Sequence, residues 1–151
     1  MNKSFERFYE DFNLHEEIQH RVAKTITTGE HQLFTLLTLN HHQIHVNEDF
    51  ARQSQFGKIL VNGTYVFSLV VGLTVPELSF NAIANLGYDK IVHAHPVFEG
   101  DTLKAHSKVL SKRLSQSNSG AGIIEFQTEG LSGNQKVISF NRSILIPLKN
   151  A

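Results

Sequence analysis

Three histidines and several amides crowd the stretch from Asn40 to Gly63, NHHQIHVNEDFARQSQFGKILVNG, just ahead of a strongly apolar segment. Polar side chains buried in a plain core each need a partner, so their density here points to a site rather than to packing. Histidine titrates at about 6.5, so His45 is suited to moving a proton at neutral pH; its ordinary alternative is a histidine bonded to backbone. Metal binding is the competing chemistry. His41 and His45 share a face if helical, but the glutamate of an HExxH pair is missing and His93 and His95 would have to complete the ligand set. Alternation along a strand puts His93 and His95 on one side, where surface histidines are ordinary. Asn40 reads either as an amide that orients water or as a helix end that tolerates the left-handed conformation. Gly63 heads the apolar segment. A glycine there lets a ligand approach the backbone, and free N–H groups can hold an oxygen on which negative charge develops; close packing of helix on sheet would use the same glycine. Asn62 is a natural cap for that helix. Glu99 and Asp101 flank Gly100 and read as a solvated turn.

The elements that must carry these residues follow from periodicity. Phe5, Phe8, Tyr9 and Phe12 recur at helical spacing and suggest a short docking helix or arm. Ile18 to Thr28 is rich in Val, Ile and Thr and suits a strand closed by a turn at Gly29. Glu30 to Leu39 reads helical, with Leu33, Phe34, Leu36 and Leu37 as its apolar stripe. Asn47 caps a further helix that stops near Gly57, with Glu48 and Asp49 where the helix dipole favours negative charge. Gly63 to Val75 is apolar nearly all round, the pattern of a buried helix, and Pro76 marks its end. Strands are expected over Asn85–Ala94, Thr102–Leu110, Gly122–Leu131 and Lys136–Ile146, with turn chemistry between them. Leu103, Ala105 and Val109 alternate with Lys104, His106 and Lys108, so one sheet face is wet and the other is free to bury the apolar helix. The expected product is α+β, an antiparallel sheet wrapped round a central helix, in one domain spanning 1–151.

Composition limits the partners. Lys plus Arg and Asp plus Glu are both 14, so there is no basic field to attract nucleic acid or an anionic membrane. Cysteine is absent, which removes disulfides, thiolate zinc sites and cysteine nucleophiles and fits an intracellular protein. The opening twenty or so residues lack the apolar run of a secretory signal. Ser68 and Gly72 interrupt the longest apolar run, Tyr65 to Val75, which falls short of the roughly 20 residues a bilayer span needs; a soluble protein is expected.

Asn40-His41-His42-Gln43-Ile44-His45 with Phe50-Ala51, then Phe56-Gly57, Ile59 and Asn62-Gly63, and later Pro96 to Leu103 (PVFEGDTL), resembles the MaoC-like dehydratase family of hot-dog-fold enzymes, which includes the R-specific enoyl-CoA hydratases. NGTYVFSLVVGLTV and NLGYDKIVHAHPVFEGDTL look most like its mesaconyl-CoA hydratase and β-methylmalyl-CoA dehydratase branch. The family pattern Asp-x-Asn-Pro-x-His puts its His on His45, its Asp on Asn40, its Asn on His42 and its Pro on Gln43. The histidine that often precedes the helix-head glycine is Asn62 here. An amide cannot take a proton at working pH, so Asn40 would place the water and His45 alone would move the proton. The resemblance implies an acyl-CoA hydratase or dehydratase acting on a 2-enoyl thioester, with Asn62 and Gly63 at the substrate. It implies no metal or redox cofactor, a cytoplasmic location and a homodimer. Arg142 interrupts the apolar face of Ile138, Phe140, Ile144 and Ile146, and either snorkels at the sheet edge or meets an anionic group of CoA. Two rivals remain. One is a hot-dog protein that holds acyl-CoA without turnover. The other is a hot-dog thioesterase, whose carboxylate sits on or beside the central helix; the nearest acids here, Glu48, Asp49 and Glu77, lie outside that helix.

Overall fold

The computed structural model describes residues 5–150. Along them run β1 (Glu17–Gln19), β2 (Lys24–Thr25), α1 (Thr28–Leu37), α2 (Gln43–Val46), α3 (Glu48–Gln53), α4 (Gly63–Leu78), β3 (Ala84–His93), β4 (Thr102–Leu114), β5 (Ala121–Ser132) and β6 (Gln135–Pro147). All strands belong to one antiparallel sheet ordered β1-β4-β5-β6-β3, with β2 also paired to β4. The period-two pattern of β4 sets the inner face: Leu103, Ala105, Ser107 and Val109 are buried, while Lys104 is exposed and His106 and Lys108 are half-buried; past a register shift between Val109 and Ser111 the pattern breaks and Ser111 is exposed.

Helix α4 lies against that face. Val66, Val70 and Leu73 pack with Leu103, Ala105, Ile138 and Phe140, and Tyr65, Phe67, Leu69 and Val71 close around them. This is the hot-dog arrangement, an α+β fold with the sheet wrapped round a central helix. The approach is close enough to demand a glycine on β5, since a methyl group at Gly130 would lie 2.7 Å from Val70 Cγ2. Pro76 does not end α4. It sits in the last turn, where its missing N–H costs one bond, and the Ser79 N–H resumes bonding to the Val75 carbonyl at 3.1 Å.

Three further expectations are corrected. The strand foreseen over Ile18 to Thr28 is two short strands, because the chain turns inward at His20. There His20 Nε2 meets Ser107 Oγ at 2.8 Å and Nδ1 meets Glu77 Oε2 at 3.0 Å. Gly29 lies inside α1, since Thr27 and Glu30 cap one another and start the helix at Thr28. Arg142 neither snorkels nor faces solvent: it is buried, with Nε donating to Asn85 Oδ1 at 2.7 Å and its two terminal nitrogens to Thr74 Oγ1 and Ser79 Oγ at 3.2 Å. It ties the end of α4 to β3 and β6. The aromatic opening forms only a single 3-10 turn, Tyr9–Asp11, which docks Phe12 edge-on to Phe126 at 5.4 Å between ring centroids.

The apolar stripe of α1 is inverted relative to expectation. His31 and Thr35 face inward, whereas Leu33, Leu36 and Leu37 are exposed, as are Leu86, Tyr88, Ile91 and Val92 on the edge strand β3. No helix among the described residues is long and apolar enough to cross a membrane.

Candidate active site

Two caps build the site. α2 is a single turn whose first N–H groups are met by a side chain, Ile44 N–H donating to His42 Nδ1 at 3.2 Å. The turn is held to the approach of α4 by the Leu60 N–H, which donates to the Ile44 carbonyl at 3.2 Å. His45 closes the link from the other side: its Nδ1 lies 2.7 Å from the Leu60 carbonyl. A carbonyl only accepts, so Nδ1 carries the proton and Nε2 of the neutral ring keeps its lone pair. Burial pushes the His45 pKa below its usual 6.5; the Leu60 bond pulls the other way, and charge on His31 or His42 would push it further down.

α4 begins one loop later. Asn62 Oδ1 accepts from the Thr64 N–H at 3.0 Å and from the Thr64 hydroxyl at 2.7 Å, the capping role expected of it. Its Nδ2 is buried and has no partner among the described residues. Among the described residues nothing accepts from the Gly63 N–H, which therefore stands as a donor at the positive end of a 16-residue helix.

His45 and Gly63 line the same cleft, of about 320 Å³, whose other walls include Phe56, Val66, His93 and Val97. The lining is mostly apolar with a few polar groups, as small-molecule sites usually are. His93 lies over the helix head: a methyl group at Gly63 would sit 3.1 Å from His93 Cε1 and 3.2 Å from Nε2. His93 is exposed at the end of β3, yet partial burial of its ring lowers its pKa, and the ring makes no hydrogen bond among the described residues. His95, also in the cleft wall, is exposed and tethered by Nδ1 to the Lys136 carbonyl at 2.7 Å.

Behind the cleft a fully buried histidine pairs with a half-buried glutamate. His31 has no exposed surface; its Nδ1 donates to Glu99 Oε1 at 2.8 Å, and its Nε2 accepts from the Asn62 N–H at 2.9 Å. The other Glu99 oxygen accepts from the Thr28 hydroxyl at 2.6 Å. Glu99 is thus no solvated turn residue: it fixes the tautomer of the histidine that holds the segment entering α4. Asp101 closes its own turn, accepting from the Phe98 N–H at 2.9 Å.

Asn40 falls outside the cleft lining. Its N–H donates to the Thr35 carbonyl at 3.1 Å and completes the end of α1, but the left-handed residue of that cap is Leu39, at φ 59°, rather than Asn40. His41 is exposed and precedes α2, so His41 and His45 share no helix. No group of three or more His, Asp or Glu side chains suited to a metal ion occurs among the described residues.

A family model described as MaoC like domain matches residues 11–128. The chain belongs to the MaoC-like domain family. The mesaconyl-CoA hydratase of Cereibacter sphaeroides is 38% identical over 141 residues, an alignment covering 93% of this MaoC-like chain and 41% of the relative. The beta-methylmalyl-CoA dehydratase of Chloroflexus aurantiacus is 32% identical over 140 residues, covering 92% and 40%. The solved structure of a MaoC domain protein from Chloroflexus aurantiacus J-10-fl superposes with a TM-score of 0.92 at 30% identity, covering 99% of this chain and 42% of that one. The MaoC-like domain described here therefore spans about two fifths of the length of these relatives.

Within the MaoC-like domain the sequence reading singled out His45, Asn62 and Gly63, which the fold gathers at the head of α4. His31 and Glu99 escaped it. They are 68 residues apart and neither has a local pattern that reveals the other. His93 was read as a sheet-surface residue and is exposed at the end of β3; that β3 brings it to Gly63 is a tertiary fact with no signal in the strand itself.

Proposed function

We propose that this MaoC-like domain is an acyl-CoA hydratase or dehydratase, adding water to, or removing it from, a 2-enoyl thioester of the R-specific enoyl-CoA or mesaconyl-CoA type. One observation carries the reading: His45, with Nε2 free, and the unpartnered Gly63 N–H line one apolar cleft. In hydration the water oxygen bonds to the β-carbon while one of its protons passes to His45 Nε2. The displaced π electrons collect on the thioester oxygen, where the Gly63 N–H and the helix dipole stabilise the charge. The proton on His45 then passes to the α-carbon. Dehydration is the reverse. The buried, unsatisfied Asn62 Nδ2 adds a donor beside the helix head.

The names of the curated relatives support a CoA thioester as substrate. A conjugate addition of this kind needs only proton transfer and a polarised carbonyl, so the reading includes no metal or redox cofactor, and a cytoplasmic location goes with a CoA substrate. A homodimer is part of the same proposal, supported by the exposed leucines of α1 and the apolar outer residues of edge strand β3. The thioesterase alternative lacks its carboxylate, since among the described residues no Asp or Glu lines the cleft.

The test is the rate of crotonyl-CoA and mesaconyl-CoA hydration, followed at the ultraviolet band of the conjugated thioester from pH 5 to 8. His45 works as the neutral base, and its lowered pKa keeps it neutral further into acid. kcat/KM is therefore expected to hold through neutral pH and to fall in acid with a midpoint below 6.5. A midpoint at or above 6.5, or release of free CoA without loss of the double bond, contradicts the reading.

A further inference from the structure

Hydration needs the attacking water held at two points, because a base that takes one proton does not by itself fix the direction of the oxygen lone pair. The resemblance gave the second point to residue 40, and Asn40 lies outside the cleft lining. We propose that His93 is that second point: its imidazole accepts the other hydrogen of the attacking water, so that His45 and His93 hold one water between them above the head of α4.

Three observations on the fold support this. His93 lines the same cleft as His45. Its Cε1 and Nε2 lie against Gly63, 3.1 and 3.2 Å from where a methyl group would stand, which puts the ring beside the donor that receives the thioester oxygen. Its ring nitrogens are without a hydrogen bond among the described residues, whereas His95, the other histidine from this end of the strand, is tethered to the Lys136 carbonyl. His93 is exposed as a residue, so its unpartnered ring nitrogens are open to water in the cleft. Partial burial of the ring lowers the His93 pKa and so favours the neutral ring, the form with an acceptor nitrogen.

The chemistry balances with both rings neutral at the start and end. The water oxygen forms the C–O bond with a lone pair, the O–H bond facing His45 breaks and gives its proton to Nε2, and the π pair becomes the enolate. The α-carbon then takes that proton from His45. His93 neither gains nor loses a proton; it keeps a hydrogen bond to the oxygen that becomes the product hydroxyl.

This inference rests on the hydratase reading, and its test separates the two. The measurements are kcat for crotonyl-CoA hydration and the affinity for butyryl-CoA, which has no double bond to react, on wild type, His93→Phe and His93→Gln. Phenylalanine keeps the ring over Gly63 but offers no acceptor; glutamine sacrifices the ring and puts an amide oxygen near the position of Nε2. A packing role thus favours Phe and a water-holding role favours Gln. The expected result is a loss of about 100-fold in kcat for His93→Phe with butyryl-CoA affinity kept within about twofold, and a loss of only about 10-fold for His93→Gln. Should His93→Phe fail to fold, His93→Leu against His93→Gln makes the same comparison. Active wild type with His93→Phe equally fast, or with Gln worse than Phe, overturns the His93 role alone. Wild type that binds butyryl-CoA but hydrates no enoyl-CoA overturns the hydratase reading, and the water clamp with it.

Discussion

His45→Ala is expected to lower enoyl-CoA hydration by about 100-fold or more while the protein stays folded. That is the usual scale for removing a positioned acid or base. In the proposed mechanism His45 is the base, its Nε2 left free by the bond from Nδ1 to Leu60, and among the described residues no Asp or Glu lines the cleft to replace it. The structural cost is smaller: the Leu60 carbonyl loses its side-chain donor, worth about 1–3 kcal/mol if the carbonyl is left dry. kcat, with circular dichroism and a melting curve on the same sample, checks both halves. A folded His45→Ala protein with near-normal turnover removes His45 from the chemistry.

Val70→Asp is expected to prevent folding. Val70 is fully buried at the middle of α4 and packs against Gly130, where a methyl group would already lie 2.7 Å from Val70 Cγ2. Water cannot reach a carboxylate there, and the surrounding cluster is apolar, with Val66, Leu73, Ile138 and Phe140 among its members. An unpaired buried carboxylate costs several kcal/mol, a large share of the roughly 5–15 kcal/mol by which domains are stable. The checks are solubility and the melting transition. Soluble Val70→Asp protein with a cooperative transition means that α4 is not the central helix of the sheet.

What could be read from the sequence was what depends on neighbours along the chain. The alternation of Leu103, Ala105 and Val109 marked β4, the all-round apolar run marked α4, and Asn47 and Asn62 marked helix starts, because each of these is a local rule of period or capping. The extension of α4 past Pro76 was not legible, since the cost of a proline depends on how many turns follow it. α1 was misread as to face: its leucines looked like a core stripe, yet His31 and Thr35 are inward because Glu99 and the Asn62 N–H supply partners for His31 from distant segments. Arg142 was misread for the same reason, its oxygen partners coming from α4, the residue after it and β3. For the site, His45, Asn62 and Gly63 were found through motif and cap, whereas His93 and Glu99 depend on where β3 and the turn before β4 land. Asn40 was singled out by its place in a motif, and the structure sets it at the end of α1, outside the residues that line the cleft.

The central claim is that the cleft adds water at the β-carbon of an enoyl thioester, and isotope placement tests it most directly. Crotonyl-CoA is incubated with the protein in water enriched in oxygen-18, and the products are analysed by mass spectrometry. The account predicts one labelled oxygen in the β-hydroxyl of an intact 3-hydroxybutyryl-CoA. Label in a carboxylate accompanied by free CoA, or unlabelled crotonyl-CoA recovered after prolonged incubation with protein that binds it, would contradict the account.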